Sequence, residues 1–329
     1  LLIAMLAFTA GNILAALSTH LPLLLAARLL SGLAHGVFFA VASSVATRLV
    51  APERAGSALS LVFGGVTVAM ALGVPAGTLL ASMFPWQWIF ALIAIFGLVG
   101  LLGMAHWMPA GSGDLATEGP GWHQLSVVLD RRLLAGACLP LLSYAGSFTL
   151  YTYITPLLLS VTHTDIRHGS SILLAYGLGA AVGNIVGGRM TDRIGMDRAS
   201  FCLLTGIAAV LALIGLAQER FELMAILVMA LGLCTYGAIP PLQSRILGLA
   251  RRHRPKALDV ASGLNIAAFN AGVVVGSMLG ATSLKLWGLT TLPWVGLVVT
   301  LLALLAFGVQ QRLPSMRFRS DDLHDNAAE

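Results

Sequence analysis

The sequence predicts an all-α membrane protein made of two helical bundles. Three observations carry that prediction: ten apolar runs long enough to cross a bilayer, basic residues confined to alternate connections, and a repeat relating the two ends of the chain. Of the 329 residues 57% are hydrophobic and only 10% are charged, and the mean hydropathy is +0.88. Soluble domains carry about 25% charged residues and disordered chains are polar, so both classes are excluded. The net charge of +5 rests almost wholly on arginines standing singly between apolar runs, which suits a membrane and not a nucleic acid. Cys138, Cys202 and Cys234 all lie inside apolar runs, which makes a disulfide framework a poor reading.

A helix crossing ~30 Å of hydrocarbon needs about 20 mostly apolar residues. The first run, 1–17, lacks the basic segment that opens a signal peptide and reads as part of the body. Runs 22–47, 58–81 and 88–107 follow, and with the first they predict an N-terminal bundle of four helices over 1–106. The next segment, 107–133, is polar, rich in Gly, Pro and Ser, and carries Asp114, Glu118 and Asp130, the composition of a linker. Six further runs, 134–160, 170–190, 199–217, 221–247, 258–284 and 290–311, predict a C-terminal bundle over 134–311, and 312–329 reads as a charged tail.

Orientation follows from the basic residues, which are retained on the cytoplasmic side of a membrane. Fifteen of the 19 lie on one set of connections: Arg48, Arg54, Arg131, Arg132, Arg189, Arg193, Arg198, Arg245, Arg251, Arg252, Arg254, Lys256, Arg312, Arg317 and Arg319. The alternate set holds Arg167, Arg220 and Lys285, and Arg28 sits alone inside a run. Both ends of the chain, the linker and the tail are therefore expected in the cytoplasm, with the protein multi-pass in the cytoplasmic (inner) membrane.

Shifting the chain by 203 residues aligns Arg48 with Arg251, Pro52 with Pro255, Ala58 with Ala261, Leu61 with Leu264, Gly73 with Gly276 and Gly77 with Gly280, without a gap. Two parallel halves related by an axis along the membrane normal are a standard transporter plan. Six helices in the second half against four in the first lead to the expectation of about 70 residues and two further helices before Leu1.

The connection Gly188-Arg189-Met190-Thr191-Asp192-Arg193-Ile194-Gly195-Met196-Asp197-Arg198 joins the sixth and seventh runs. Glycines permit a tight turn, and a carboxylate among arginines makes a charge cluster that forms in one conformational state and breaks in another. Its Gly188, Asp192, Arg193, Gly195 and Arg198 match the G-x-x-x-D-R-x-G-x-x-R signature, so the sequence resembles the major facilitator superfamily of transporters. Arg28-Leu29-Leu30-Ser31-Gly32-Leu33-Ala34-His35-Gly36 is similar to that superfamily's R-x-x-x-G-x-x-x-G element. Gly73-Val74-Pro75-Ala76-Gly77 is similar to the Gly-Pro motif of its antiporters, with Pro75 displaced. Trp86-Gln87-Trp88-Ile89-Phe90 completes a pattern that looks closest to the drug:proton antiporter-1 branch and, within it, to sugar-efflux and arabinose-efflux-permease-like proteins. The resemblance covers the whole chain and implies ten of the twelve helices of a major facilitator fold.

An arginine about seven residues inside a helix costs roughly 2.5–3.5 kcal/mol on insertion scales, so Arg28 is expected to face protein or water. Arg28, Gly32, His35 and Phe39 share one helix face, with His35 a titratable neighbour on a substrate path. The alternative is an outward-snorkelling arginine beside a histidine engaged in packing. Tyr144, Ser147, Phe148, Tyr151 and Thr155 form a polar-aromatic stripe suited to an amphipathic solute, or to helix packing. Tyr236, beside Pro240-Pro241, and the amides Asn265 and Asn270 join the candidate path, interhelical hydrogen bonding being the alternative for the amides. Gly73, Pro75, Gly77, Gly276 and Gly280 are expected at helix-packing faces.

All 14 acidic residues fall in connections, at run ends or in the tail, which leaves His35, a peripheral carboxylate such as Glu222, or a residue in the two further helices expected before Leu1 to carry a proton. No metal cluster, cofactor motif or nucleophile elbow is present, so catalysis is not expected. The sequence thus predicts a monomeric secondary transporter, proton-coupled and exporting a small organic solute (a sugar, nucleoside or drug-like compound) by alternating access. The other class is a non-transporting sensor or a remnant of a truncated transporter gene.

Overall fold

The computed structural model describes residues 1–73, 76–77, 80, 83–107, 126–163, 166–313 and 316. The described part is almost wholly helical: α1 (Leu2–Ala16), α2 (Leu21–Arg48), α3 (Ala55–Val68), α4 (Gln87–Trp107), α5 (Arg131–Tyr151), α6 (Ile154–Ser160), α7 (Ile166–Ile194), α8 (Met196–Ala217), α9 (Phe221–Gly237), α10 (Ile239–His253), α11 (Leu258–Trp287) and α12 (Leu292–Arg312). Nine spans among the described residues are long and apolar enough to cross a membrane, and α1 is a shorter apolar helix. Most of the linker, 108–125, and the tail beyond Met316 lie outside the described residues, as do Val74 and Pro75.

Local chemistry sets the helix ends. Pro22 and Pro293 occupy the first turns of α2 and α12, where a missing N–H costs nothing. Asp130 caps α5, its carboxylate accepting from the Arg132 amide at 2.9 Å. Gly195 has φ +83°, a left-handed turn that lets α7 end and α8 begin within one residue.

Two expected runs are divided. The run 134–160 breaks after Tyr151 and resumes as α6 at Ile154, and the run 221–247 breaks at Ala238. Pro240 and Pro241, which cannot donate to the carbonyls one turn back, restart the second as α10, and this helix continues to His253. Arg245, Arg251 and Arg252, expected on a connection, are therefore helical. Beyond α3 the backbone widens into a π-helical turn, Ala69–Gly73.

In the first bundle α1 packs on α2 and α4, and α2 on α3. In the second, α5 packs on α11 and α12, α7 on α9, and α8 on α9 and α12. The 203-residue offset carries α1 and α4 onto α8 and α12, and both pairs are in contact. The core is concentrated in the second bundle, where Leu133, Leu139, Leu150, Leu204, Leu211, Val228 and Leu249 are fully or almost fully buried. Large apolar side chains such as Ile3, Leu61, Leu216 and Leu305 stand on the exterior, as hydrocarbon rather than water would favour. The bundles meet where α2 lies against α11 and where α3 lies against α7 and α10.

Candidate functional site

Three groups of side chains make up the candidate site, two at the meeting of the bundles and one within the second bundle, and each begins with helix geometry. On α2 a step of three or four residues keeps a side chain on one face, so Arg28, Ser31, Gly32, His35 and Gly36 line a common wall. With Phe8 of α1 and Asn270 of α11 they enclose a cavity of about 310 Å³. Arg28 holds its guanidinium over the Phe90 ring, 5.2 Å from the centroid. The His35 ring lies 4.7 Å from that of Phe39, which stacks in turn on Phe63 at 5.3 Å. Asn270, expected on the path or in an interhelical hydrogen bond, is exposed toward this cavity and donates to the Ile266 carbonyl on its own helix.

The second group is an aromatic wall in the second bundle. Tyr144 of α5 stacks on Phe148 at 5.4 Å, meets Phe269 of α11 edge-on at 4.6 Å and faces Tyr236 of α9 at 6.2 Å. Tyr151 stacks on Tyr176 of α7 at 4.0 Å, and Tyr176 in turn meets Tyr236 edge-on. Ser147 is fully buried and accepts a hydrogen bond from the Thr235 hydroxyl at 2.9 Å. These side chains pack on one another and are not among the residues lining the cavity. Thr155, the last residue of the expected stripe, falls on α6 and is exposed. Asn265 is also apart from the cavity: fully buried, it donates to Gln243 Oε1 at 2.5 Å, and Gln243 donates to Ser262 at 2.7 Å. The carbonyl of Gly237, beside Tyr236, abuts Gly187 of α7.

The third group closes the arginine-rich end of the bundles. The first amides of a helix have no partner within it, and the carboxylate of Asp192 on α7 supplies one to α3 from the other bundle. It accepts from the Gly56 amide at 2.7 Å, from the Ser57 amide at 3.0 Å and from the Ser57 hydroxyl. Gly56 and Gly188 permit this approach. A Cβ on Gly56 would stand 2.5 Å from the Gly188 carbonyl oxygen, and one on Gly188 would stand 2.7 Å from the Gly56 carbonyl oxygen. Farther along, Asn184 donates to the Ser60 carbonyl at 2.6 Å. A second seam joins α2 to α11, where the Ser44 hydroxyl donates to Asp259 and Arg48 lies 3.6 Å from the same carboxylate.

Arg193 and Arg198, expected to gate beside Asp192, are both exposed. The buried cation near that loop is Arg245, 1% exposed, which binds Asp197 at 2.9 Å, Gln310 at 2.7 Å and the Met316 carbonyl at 3.3 Å. Gly276 and Gly280 of α11 lie against the backbone of α5, where added Cβ atoms would meet the carbonyl oxygens of Ala145 and Thr149 at 2.5 and 2.6 Å. Gly73 and Gly77 differ: among the described residues a Cβ on Gly73 would meet only that of Ala69 at 3.8 Å, and one on Gly77 nothing within 4 Å. Pro75, like Val74 and residues 78–79 beyond Gly77, lies outside the described residues. Asp259, Tyr176, Gln243 and Arg245 were not singled out by sequence reasoning. Among the described residues no group of three or more His, Cys, Asp or Glu is placed to hold a metal.

A helical fold with two bundles meeting at a cavity fits many membrane proteins, and comparison with known families decides among them. The model of the Major Facilitator Superfamily matches residues 1–165 and again residues 137–321. The chain belongs to the Major Facilitator Superfamily. Over 98% of its length it is 35% identical to an uncharacterized MFS-type transporter of Bacillus subtilis, YtbD, and covers 80% of that protein. It is 28% identical to a probable sugar efflux transporter of Helicobacter acinonychis, with 91% of this chain and 75% of the relative covered. The crystal structure of the superfamily transporter FucP in the outward conformation superposes with a TM-score of 0.71 at 13% identity, over 94% of this chain and 81% of that one. That likeness shows the fold alone. Major Facilitator Superfamily members are membrane transporters that bind small molecules, so the chain is a multi-pass membrane transport protein.

Proposed function

We propose that the chain works by alternating access as a monomer in the cytoplasmic membrane, with both ends of the chain cytoplasmic, and that it exports a small organic solute in exchange for protons. The observation that carries the reading is a polar cavity between the bundles that ends well short of a sealed, arginine-rich end. His35 and Asn270 lie about 13–17 Å along their helices from Ser44 and Asp259 at 1.5 Å per residue, so the seam stands several turns from the cavity. Positive-inside placement assigns the sealed end to the cytoplasm, and the state described is then open to the outside. His35 is the titratable group of the cavity and the candidate proton carrier, with Arg28 and Asn270 as solute contacts. Tyr144, Ser147, Tyr151 and Tyr236 form the wall behind the path, and Asp192 with Gly188 forms the gate. The name of the Helicobacter relative supports efflux and a sugar-like solute as the first class to test.

Gradient-driven flux measured in proteoliposomes containing the full-length gene product tests this reading. An imposed pH gradient should drive flux of at least one sugar, nucleoside or drug-like solute, and flux indifferent to the gradient for every solute would remove proton coupling. Asp192→Asn should slow turnover more than it weakens binding, because the carboxylate engages a seam and not the cavity. Equal loss of both would contradict its role as a gate.

A further inference from the structure

The charges around the cavity point to the solute's own charge. Arg28 and His35 line it, and none of the lining residues is acidic. The carboxylates of the described residues that could neutralise a cation are placed elsewhere. Asp192 serves α3, Asp259 serves Ser44 and Arg48, Asp197 serves Arg245 and Asp130 serves Arg254. Glu53 lies in the short turn before α3, and Glu219 and Glu222 lie at the α8–α9 turn. The Arg28 guanidinium rests on the Phe90 ring, which attracts a cation but leaves its net charge intact.

A guanidinium is ionised at any physiological pH and presents a planar fork of N–H donors that matches a carboxylate. Ser31, His35 and Asn270 add hydrogen-bonding groups around it, and Phe8 supplies an apolar face. At roughly 30 Å³ per water-sized unit, about 310 Å³ holds on the order of ten non-hydrogen atoms. A cation held inside a membrane protein calls for a counter-charge; among the described residues no carboxylate supplies one to Arg28, and an anionic solute can.

We propose that the cavity formed by Arg28, Ser31, His35 and Asn270 takes a small organic anion, a carboxylate on an apolar or aromatic body, in preference to neutral sugars. This puts an acid ahead of the sugar-like class named above and rests on the transport reading for its physiological meaning. Binding, however, is measurable without transport.

The test uses purified full-length protein in detergent and matched pairs of an acid and its primary amide: benzoate with benzamide, phenylacetate with phenylacetamide, and indole-3-acetate with indole-3-acetamide. At equal concentration at least one acid should raise Tm by several degrees while its amide has no effect. Arg28→Gln should remove the response, and Arg28→Lys, which keeps the charge but not the fork, should retain part of it. Equal shifts from acid and amide, no shift from any acid, or an undiminished acid response in Arg28→Gln would each overturn the proposal. Because the paired ligands are compared on the unaltered protein, the result stands even where Arg28→Gln fails to fold. Gradient-driven flux of neutral solutes without acid selectivity would sink this inference and leave the transport reading standing, and acid-selective binding without flux would do the reverse.

Discussion

Arg245 and Arg198 show how differently two arginines near one loop are used. Arg245 is buried and binds Asp197, Gln310 and the Met316 carbonyl, whereas Arg198 is exposed. Removing one member of a buried pair strands its partner, so Arg245→Met should cost about 3–5 kcal/mol. Arg198→Ala should stay within about 0.5 kcal/mol. Unfolding both variants in mixed micelles checks the contrast, and equal losses would contradict it. Sequence reasoning named Arg198 and passed over Arg245. Arg198 stands at a motif position, while Arg245 is one basic residue among several before Arg254 and reads as a loop charge until Pro240 and Pro241 are seen to restart a helix. Asp192 was named from its spacing to Gly188 and Gly195, but the amides it binds were not. Backbone amides of Gly56 and Ser57 leave no mark in side-chain patterns. Tyr176, a single tyrosine in an apolar run, is joined to Tyr151 only by folding.

At the scale of elements, the start of α5 carries a pH dependence. Burial works to raise the Asp130 carboxyl, but hydrogen bonds from the Arg132 amide and the Arg254 guanidinium outweigh it and hold the group below its ordinary value. A carboxyl depressed in the folded state stabilises above its unfolded pKa, about 3.9, and loses that contribution as pH falls through the lower folded value. Asp130→Ala should therefore be less stable than the parent by about 1 kcal/mol near neutrality. The gap should close as pH is lowered past about 3.9, and thermal unfolding across pH 3–7 would show it. A gap that widened on acidification would rule out the cap as its source. The helices themselves were legible because their apolar runs approach or exceed the length a bilayer demands. The breaks at Tyr151 and Ala238 were not, because an apolar run continues through both in composition while the backbone does not.

For the whole molecule, the seams α2–α11 and α3–α7 must open if the cavity is to reach the arginine-rich end. The Ser44 hydroxyl and the Asp259 carboxylate are in hydrogen-bond contact, which brings two positions 215 residues apart within reach of a cross-link. A Ser44→Cys/Asp259→Cys pair, oxidised in an otherwise cysteine-free background, should reduce flux at least tenfold and recover it on reduction. Flux unaffected by quantitative cross-linking would exclude opening at this seam. The 203-residue repeat made the two-bundle plan legible from aligned residues such as Arg48 and Arg251. No periodicity, however, tells Ser44 that it will meet Asp259, because that contact depends on how the finished bundles lean together.

The contact between Gly56 and Gly188 has an electrical consequence. On the transport reading, this close backbone approach stands where water would have to pass, and the membrane voltage would fall across it more than across the cavity. Each elementary charge carried through that field is worth about 2.3 kcal/mol per 100 mV. An anionic solute would thus feel the potential during the opening of the Asp192 seam, and voltage would act on the conformational step of the cycle and leave the filling of the cavity almost untouched.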